Sequence, residues 1–124
     1  MLRKKLASLG IMALLLAGLV ATSQTVSAKE MSIQERIVAG KKIAWNRRGG
    51  NCLACHVMDN GVLPGNTAPA LMMMKQRYPD WNDLRAQIWD PRVRNPNAFM
   101  PPYGAHRILS EREIDLVTDY IHSL

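Results

Sequence analysis

The segment GGNCLACH at residues 49–56 contains the two cysteines of this 124-residue chain, Cys52 and Cys55, followed at once by His56. Two thiols separated by two residues and followed by an imidazole admit four interpretations: a disulfide, a thioredoxin-like dithiol, part of a zinc site, or a covalent anchor for haem. Each interpretation requires something different from the rest of the chain. This segment therefore constrains the fold more than any other feature of the sequence.

Three of the four interpretations lack something that they need. A thioredoxin-like dithiol needs a βαβ setting, whereas the period-two alternation that is typical of strands is absent. A structural zinc ion needs four ligands, and the remaining histidines, His106 and His122, do not have the usual paired spacing. A disulfide is allowed in an exported protein, but it would close a very small loop and leave His56 without a role.

Haem attachment accounts for all three residues. Two thiols within one helical turn reach the vinyl groups on one porphyrin edge, and the adjacent imidazole then faces the iron. The sequence therefore predicts one covalent haem c on Cys52 and Cys55, with His56 as an iron ligand. The disulfide is the main alternative.

The first 28 residues have the three parts of a signal peptide. A basic start, MLRKK, precedes an apolar run from Leu6 to Val20, and Val26 and Ala28 occupy the two positions that a signal peptidase reads. The apolar run is shorter than the roughly 20 residues of a membrane-spanning helix. We therefore expect a cleaved leader at 1–28, export to the periplasm, and one mature domain at 29–124 that is not held in a membrane.

Removal of the leader changes the charge balance. The whole chain has a formal charge of +6, and three of its 16 basic residues lie in the leader, so 13 basic residues face 10 acidic ones in a mature domain of charge +3. Such a modest positive charge can steer an anionic partner. No basic run interleaved with aromatic residues is present, so we expect no nucleic-acid binding.

The two ends of the mature domain have the same helix signal. Ser32 with Glu35 and Ser110 with Glu113 both have the spacing of a capping box, and apolar residues at helical spacing follow each. We expect the first helix to reach about Trp45, where the run RRGGN ends it. We expect the last helix to have about 14 residues.

Two shorter helices are expected between them. One begins at Pro69, a good first-turn residue, and covers 71–76. The other has the apolar residues of 81–88 on one face and ends at Asp90 and Pro91. With helical patterns throughout and no strand pattern, the sequence predicts an all-α fold.

A C-x-x-C-H segment after an N-terminal helix, a loop with a proline, a loop with a methionine and a final helix resembles the class I c-type cytochromes over the whole mature chain. The resemblance implies helices wrapped round one haem, the first and last crossing in close contact. Gly40 is the small residue suited to that crossing, opposite Val117 or Tyr120, unless it is merely tolerated within its helix. A carbonyl next to Pro69 is implied to orient the His56 ring.

The class I pattern also places the second iron ligand in the loop before the final helix, where NPNAFMPPYG contains Met100. The prolines at 101–102 stiffen this loop, so a thioether there can reach the iron without a large ordering cost. The alternatives are His106 in the same loop and the methionines at 72–74, which more often fill gaps in a core. We predict His56 and Met100 as the metal ligands, a closed coordination that suits electron transfer rather than substrate binding.

Within class I, four segments of the chain are similar to SoxX, the single-haem cytochrome subunit of the sulfur-oxidation (Sox) system. They are GNCLACH at 50–56, APAL at 68–71, IWDPRVRNPNAFMPPYG at 88–104 and LSEREIDLVTDYIHSL at 109–124. The block DPR-x-x-NP followed by MPP-aromatic-G is more specific than the haem motif. Tyr103 stands where the family often has Phe, a change that we expect to matter little.

This resemblance implies a partner and a reaction. A SoxX-type subunit forms a heterodimer with a SoxA-type cytochrome, and together they couple thiosulfate to a carrier-protein cysteine (L-cysteine S-thiosulfotransferase) while electrons pass to a downstream acceptor cytochrome. The sulfur chemistry belongs to a cysteine-ligated haem in the partner, so we expect no catalytic residue in this chain. The alternative is a free periplasmic electron carrier for a respiratory or other redox enzyme. A haem-based sensor would need an open or labile sixth position, against which Met100 argues.

Overall fold

Four α-helices and two short 3₁₀ turns form the regular structure of residues 31–124, the part of the chain that the computed structural model describes. The helices are α1 (Ile33–Trp45), α2 (Met74–Arg77), α3 (Trp81–Trp89) and α4 (Glu111–His122), and the 3₁₀ turns are Cys52–Ala54 and Pro91–Val93. Within this range the β-structure is limited to one isolated bridge between Met58 and Leu71, in agreement with the predicted all-α class. The predicted leader at 1–28 lies outside the described residues.

Both predicted capping boxes are present. The Ser32 hydroxyl accepts the Glu35 amide, and the Glu35 carboxylate accepts the Ser32 amide at 2.8 Å. Ser110 and Glu113 make the same pair of bonds at the start of α4, again with a 2.8 Å return bond. These bonds satisfy amides that a helix N-terminus leaves without intrahelical partners, and they fix where α1 and α4 begin. None of the helices of residues 31–124 is long and apolar enough to cross a membrane.

The prediction for α2 was wrong, because the helix begins at Met74 rather than at Pro69. The segment before it is held in a non-helical conformation by contacts with the cysteine region: the Leu71 amide donates to the Val57 carbonyl at 2.8 Å. Met73 then has a left-handed backbone with φ of 53° and precedes the helix as its cap. These contacts join residues that are distant in sequence, and local helix propensity does not include them.

The first and last helices cross in close contact at Gly40. A Cβ at Gly40 would overlap the carbonyl oxygen of Leu116 and come within 2.9 Å of the Tyr120 Cβ. The predicted crossing is therefore present, and so is the predicted contact with Tyr120. The tightest approach, however, is to the backbone of Leu116 rather than to Val117.

A buried carboxylate on α4 connects three helices. Asp119 forms a salt bridge with Arg36 of α1 and accepts the indole Nε1–H of Trp81, at the start of α3, at 2.8 Å. Charge-assisted hydrogen bonds of this kind have stricter geometry than apolar packing. They fix how α1 and α3 are placed against α4, whose buried residues form much of the core.

Candidate functional site

Two adjoining cavities of about 390 and 420 Å³ lie between the helices and two long loops, residues 46–73 between α1 and α2 and residues 90–110 between α3 and α4. Each volume is in the range typical of sites for small molecules and cofactors. The cavity of about 390 Å³ is backed by apolar side chains of α3 and α4, among them Leu84, Ile88, Val117 and Ile121. Seven residues line both cavities, and all of them come from the loops: Cys52, His56, Thr67, Ala68, Phe99, Met100 and Tyr103.

The cysteine turn forms one wall. Asn51 has a left-handed backbone with φ of 49°, and the amides of Cys55 and His56 then donate to the Cys52 carbonyl at 3.2 and 2.9 Å. This tight turn places Cys55 at the cavity of about 420 Å³ and Cys52 at both cavities. The two cysteines are not joined by a disulfide.

The protonation of Cys52 bears on the alternative roles of the cysteine pair. Burial raises the pKa of the Cys52 thiol to about 11, so the sulfur is protonated at neutral pH. Thiol–disulfide exchange and zinc binding both use the thiolate, and a raised pKa disfavours both. A thioether bond to haem carries no charge, so the burial of Cys52 is compatible with its predicted role as a haem anchor.

The His56 ring is held in one tautomer. Its Nδ1 lies 2.6 Å from the carbonyl oxygen of Pro69, as the resemblance implied. Because a carbonyl can only accept, the proton is on Nδ1, and the lone pair of Nε2 remains available to a metal. The same contact explains why the chain is not helical at Pro69.

Met100 lines both cavities together with His56, in the loop that follows the Pro91–Val93 turn. The end of α3 anchors this loop, since the amides of Gly104 and Ala105 donate to the Trp89 carbonyl at 3.1 and 3.3 Å. The structure thus brings together the two predicted metal ligands and the two predicted haem anchors. That Cys52 and Cys55 anchor a haem, and that His56 and Met100 bind its iron, stays a prediction.

The alternatives to Met100 are placed differently. His106 is exposed, lies 3.3 Å from Arg92 Nη1 and lines neither cavity. Met72 and Met73 are exposed, also away from the cavities, whereas Met74 is buried and lines the cavity of about 390 Å³. Met74 is therefore the remaining thioether at the site, in a position suited to core packing.

Some groups at the site were not predicted. The Tyr103 hydroxyl donates to the Gly50 carbonyl at 2.5 Å. Arg77 lines the cavity of about 390 Å³, and its Nη1 donates to the Ala70 carbonyl at 2.8 Å. Phe99 is fully exposed and lines both cavities. The partners of Tyr103 and Arg77 are backbone atoms of other segments, which no sequence pattern identifies.

The donor set fits a haem. An apolar cavity wall, two thiols on one turn, an imidazole with a free Nε2 and a thioether are the groups that c-type haem attachment and axial ligation use. Among residues 31–124, Arg77 is the one charged side chain that lines either cavity. The site would therefore surround the macrocycle with apolar contacts and offer nitrogen and sulfur to the iron.

Comparisons with known proteins agree with this geometry. The sequence model of the family described as "Cytochrome c" matches residues 37–124. Cytochrome c6 of Euglena viridis is 36% identical over 76 residues, which are 60% of this chain and 82% of that protein. An uncharacterized lipoprotein of Aquifex aeolicus (strain VF5) is 29% identical over 86 residues, 65% of this chain and 42% of that protein. The chain thus spans less than half the length of the Aquifex relative.

Proposed function

The chain belongs to the cytochrome c family, and on that premise we propose that Cys52 and Cys55 anchor its haem and that His56 and Met100 are the iron ligands. As a class I c-type cytochrome with one covalent haem c, it transfers electrons. The predicted fold class and cofactor are therefore confirmed. The four residues are proposed because they meet at one pair of adjoining cavities.

Each residue has a distinct task in this proposal. Bound haem supplies one-electron chemistry at iron. The carbonyl of Pro69 orients the His56 ring and strengthens Nε2 as a donor. Met100 would supply the second iron ligand, and a thioether in that role would raise the reduction potential relative to a second imidazole. Apolar residues of α3 and α4 exclude water from one side of the site.

We further propose that the chain is a SoxX-type subunit, which accepts electrons while a SoxA-type partner couples thiosulfate to a carrier-protein cysteine. The observation that most supports this role is the block at 88–104. Its two ends are joined, because the Gly104 amide donates to the Trp89 carbonyl at 3.1 Å. Within the block, the Arg92 guanidinium donates two hydrogen bonds to the Asp90 carboxylate. The resemblance therefore covers one structural unit, the unit that contains Met100.

The cysteines fit the same role. Both are used to anchor haem in this proposal, so neither is free to bind sulfur, and the sulfur chemistry falls to the partner. We propose that the leader at 1–28 directs the chain to the periplasm, where it forms a heterodimer with the SoxA-type cytochrome and passes electrons to an acceptor cytochrome.

Isolation of the native protein tests the proposal. The exported chain should begin at Lys29, have the mass of residues 29–124 plus one haem, and co-purify with a second cytochrome. The heterodimer should transfer electrons from thiosulfate to an acceptor cytochrome when a carrier-protein cysteine is supplied, and the purified chain alone should not. Deletion of the gene should impair growth on thiosulfate. Wild-type chain should restore growth, and a Cys52→Ala/Cys55→Ala double variant should not.

The similarity to cytochrome c6 favours a second candidate, a free electron carrier. Such a carrier is a stable monomer and needs no cytochrome partner. If the native protein is isolated alone, and deletion blocks a respiratory branch while thiosulfate oxidation continues, this second function is correct and the SoxX-type role is wrong.

A further inference from the structure

One buried hydrogen bond joins the two loops that enclose the cavities. The Tyr103 hydroxyl, three residues after Met100, donates to the carbonyl of Gly50, two residues before Cys52, at 2.5 Å. Tyr103 is only 8% exposed, and Gly50 is buried as well. The sequence led us to expect that Tyr in place of Phe would matter little here. The structure corrects that expectation, because the hydroxyl makes a specific contact that a phenyl ring does not make.

The other hydrogen bonds of the Met100 loop do not make this connection. Gly104 and Ala105 are bound to the Trp89 carbonyl of α3, and the amides of Ile108 and Leu109 return to the Tyr103 carbonyl within the loop. Among residues 95–109 and their partners in the described part of the chain, the Tyr103 hydroxyl alone crosses to the cysteine turn.

We propose that Tyr103 is a positioning residue whose hydroxyl ties the Met100 loop to the cysteine turn and so keeps the Met100 thioether at the cavities that His56 also lines. This inference rests on the proposed assignment of Met100 as the sixth ligand. Burial also raises the pKa of the Tyr103 hydroxyl, so the donor keeps its proton throughout the neutral range.

Competition by free imidazole measures how firmly the Tyr103 hydrogen bond holds the Met100 loop closed. Imidazole binds the iron only when Met100 has left. Its apparent affinity is therefore its intrinsic affinity multiplied by the fraction of molecules in which the Met100 loop is open. Tyr103→Phe leaves the ring in place and leaves the buried Gly50 carbonyl without this donor. The loss of one buried hydrogen bond should raise the open fraction, and with it the apparent imidazole affinity, about tenfold.

The chain offers a matched control at Tyr120, which is 2% exposed. Its hydroxyl accepts the indole Nε1–H of Trp45 at 3.1 Å, a bond between α4 and α1 that does not involve the Met100 loop. Tyr120 lines neither cavity. Tyr120→Phe should lower the stability of the whole fold and leave the imidazole affinity of the holoprotein within twofold of the wild type.

Failure of this inference can be told apart from failure of the ligand assignment. If the oxidised wild-type holoprotein lacks the charge-transfer absorption of a methionine–iron bond, or keeps it in Met100→Ala, the assignment of Met100 is wrong. If the assignment is correct but Tyr103→Phe binds imidazole as the wild type does, or no more tightly than Tyr120→Phe, the tie is refuted.

A second measurement needs no variant. In the wild-type holoprotein, the Tyr103 hydroxyl proton should exchange slowly with water while Met100 is bound and rapidly once imidazole has displaced it, as followed by NMR. A hydroxyl proton that stays equally protected in both states would show that the bond does not respond to Met100, and this would overturn the proposal even if Tyr103→Phe yields no holoprotein.

Discussion

The crossing of α1 and α4 and the two loops beside the cavities differ in what stabilises them. At the crossing, Ile114 and Val117 are almost fully buried, and Gly40 allows the two backbones to approach closely. In the loops, single hydrogen bonds such as those of Pro69 and Tyr103 fix the conformation. The non-helical segments also contain all the non-glycine residues of positive φ found within 31–124: Asn51, Asp59, Leu63, Met73 and Arg107.

The helices and the loops therefore contribute differently to the candidate site. A left-handed backbone in a non-glycine residue is unfavourable by roughly 1 kcal/mol or more, so loops with several such residues depend on contacts that they do not supply themselves. The helices supply walls and fixed attachment points. The chemical groups proposed for the site, Cys52, Cys55, His56 and Met100, all lie in the loops.

The largest effect should come from the cysteine turn. Cys52→Ala or Cys55→Ala should prevent normal covalent attachment, and His56→Ala should yield little stable holoprotein, because bound haem stabilises the folded chain. Ala54→Ser, an exposed change within the same turn, is the control and should attach one haem. Intact mass and haem content of the exported protein measure the effect. Normal haem content in the cysteine variants would contradict the assignment.

The helix crossing should respond to a single methyl group. Gly40→Ala places a Cβ against the Leu116 backbone, which cannot move without separating the helices. The clash should outweigh the better helix propensity of alanine and lower the free energy of unfolding by about 2 kcal/mol. Denaturant unfolding of the holoprotein measures this.

Gly49→Ala is the control for that substitution. A Cβ at Gly49 would lie 3.5 Å from its nearest neighbour, the Asn46 side chain, and the φ of Gly49 is not positive. The change should therefore stay within about 0.5 kcal/mol of the wild type. Equal effects at the two glycines would show that the close approach at the crossing does not limit stability.

The difference between helices and loops also explains which parts of the structure could be predicted from the sequence. α1, α3 and α4 followed from capping boxes and apolar spacing, because the signals that begin and end them lie within each segment. The start of α2 did not, since Pro69 and Leu71 are bound to residues of the cysteine region. The partner of Tyr103 is a backbone atom 53 positions away, and no local pattern identifies such a partner.

A pH effect should distinguish the loop tyrosine from the helix tyrosine. Burial raises the pKa of Tyr103 above its ordinary value near 10, so the folded state holds this proton more tightly than the unfolded chain does. The stabilisation is complete below about pH 10 and is lost as the pH rises further. Tyr103→Phe should therefore show a shallower loss of stability above about pH 10 in urea unfolding.

Tyr120→Phe provides the comparison for this pH effect. Burial also raises the pKa of Tyr120, but less than it raises the pKa of Tyr103. Tyr120→Phe should therefore reduce the loss of stability above about pH 10 less than Tyr103→Phe does. A steeper alkaline loss in Tyr103→Phe than in the wild type would have the wrong sign and would contradict the burial of this hydroxyl.

The smallest effect should come from the exposed start of α1. Ser32→Ala removes the hydroxyl that accepts the Glu35 amide and should lower the free energy of unfolding by about 1 kcal/mol. Ser32→Thr keeps a hydroxyl and should lose less. Thermal unfolding and the imidazole affinity measure the two regions separately. A changed imidazole affinity in Ser32→Ala would show that the helix end and the Met100 loop are not independent.

The absorption spectrum of oxidised Met100→Ala holoprotein tests the central claim, that the loops provide the groups which bind the iron. The substitution should abolish the methionine–iron charge-transfer band and lower the reduction potential, while the haem stays attached to Cys52 and Cys55. Met74→Ala, which removes the other thioether at the cavity, should keep the band. Loss of the band in Met74→Ala with the band intact in Met100→Ala, or absence of the band from the oxidised wild-type protein, would contradict the account.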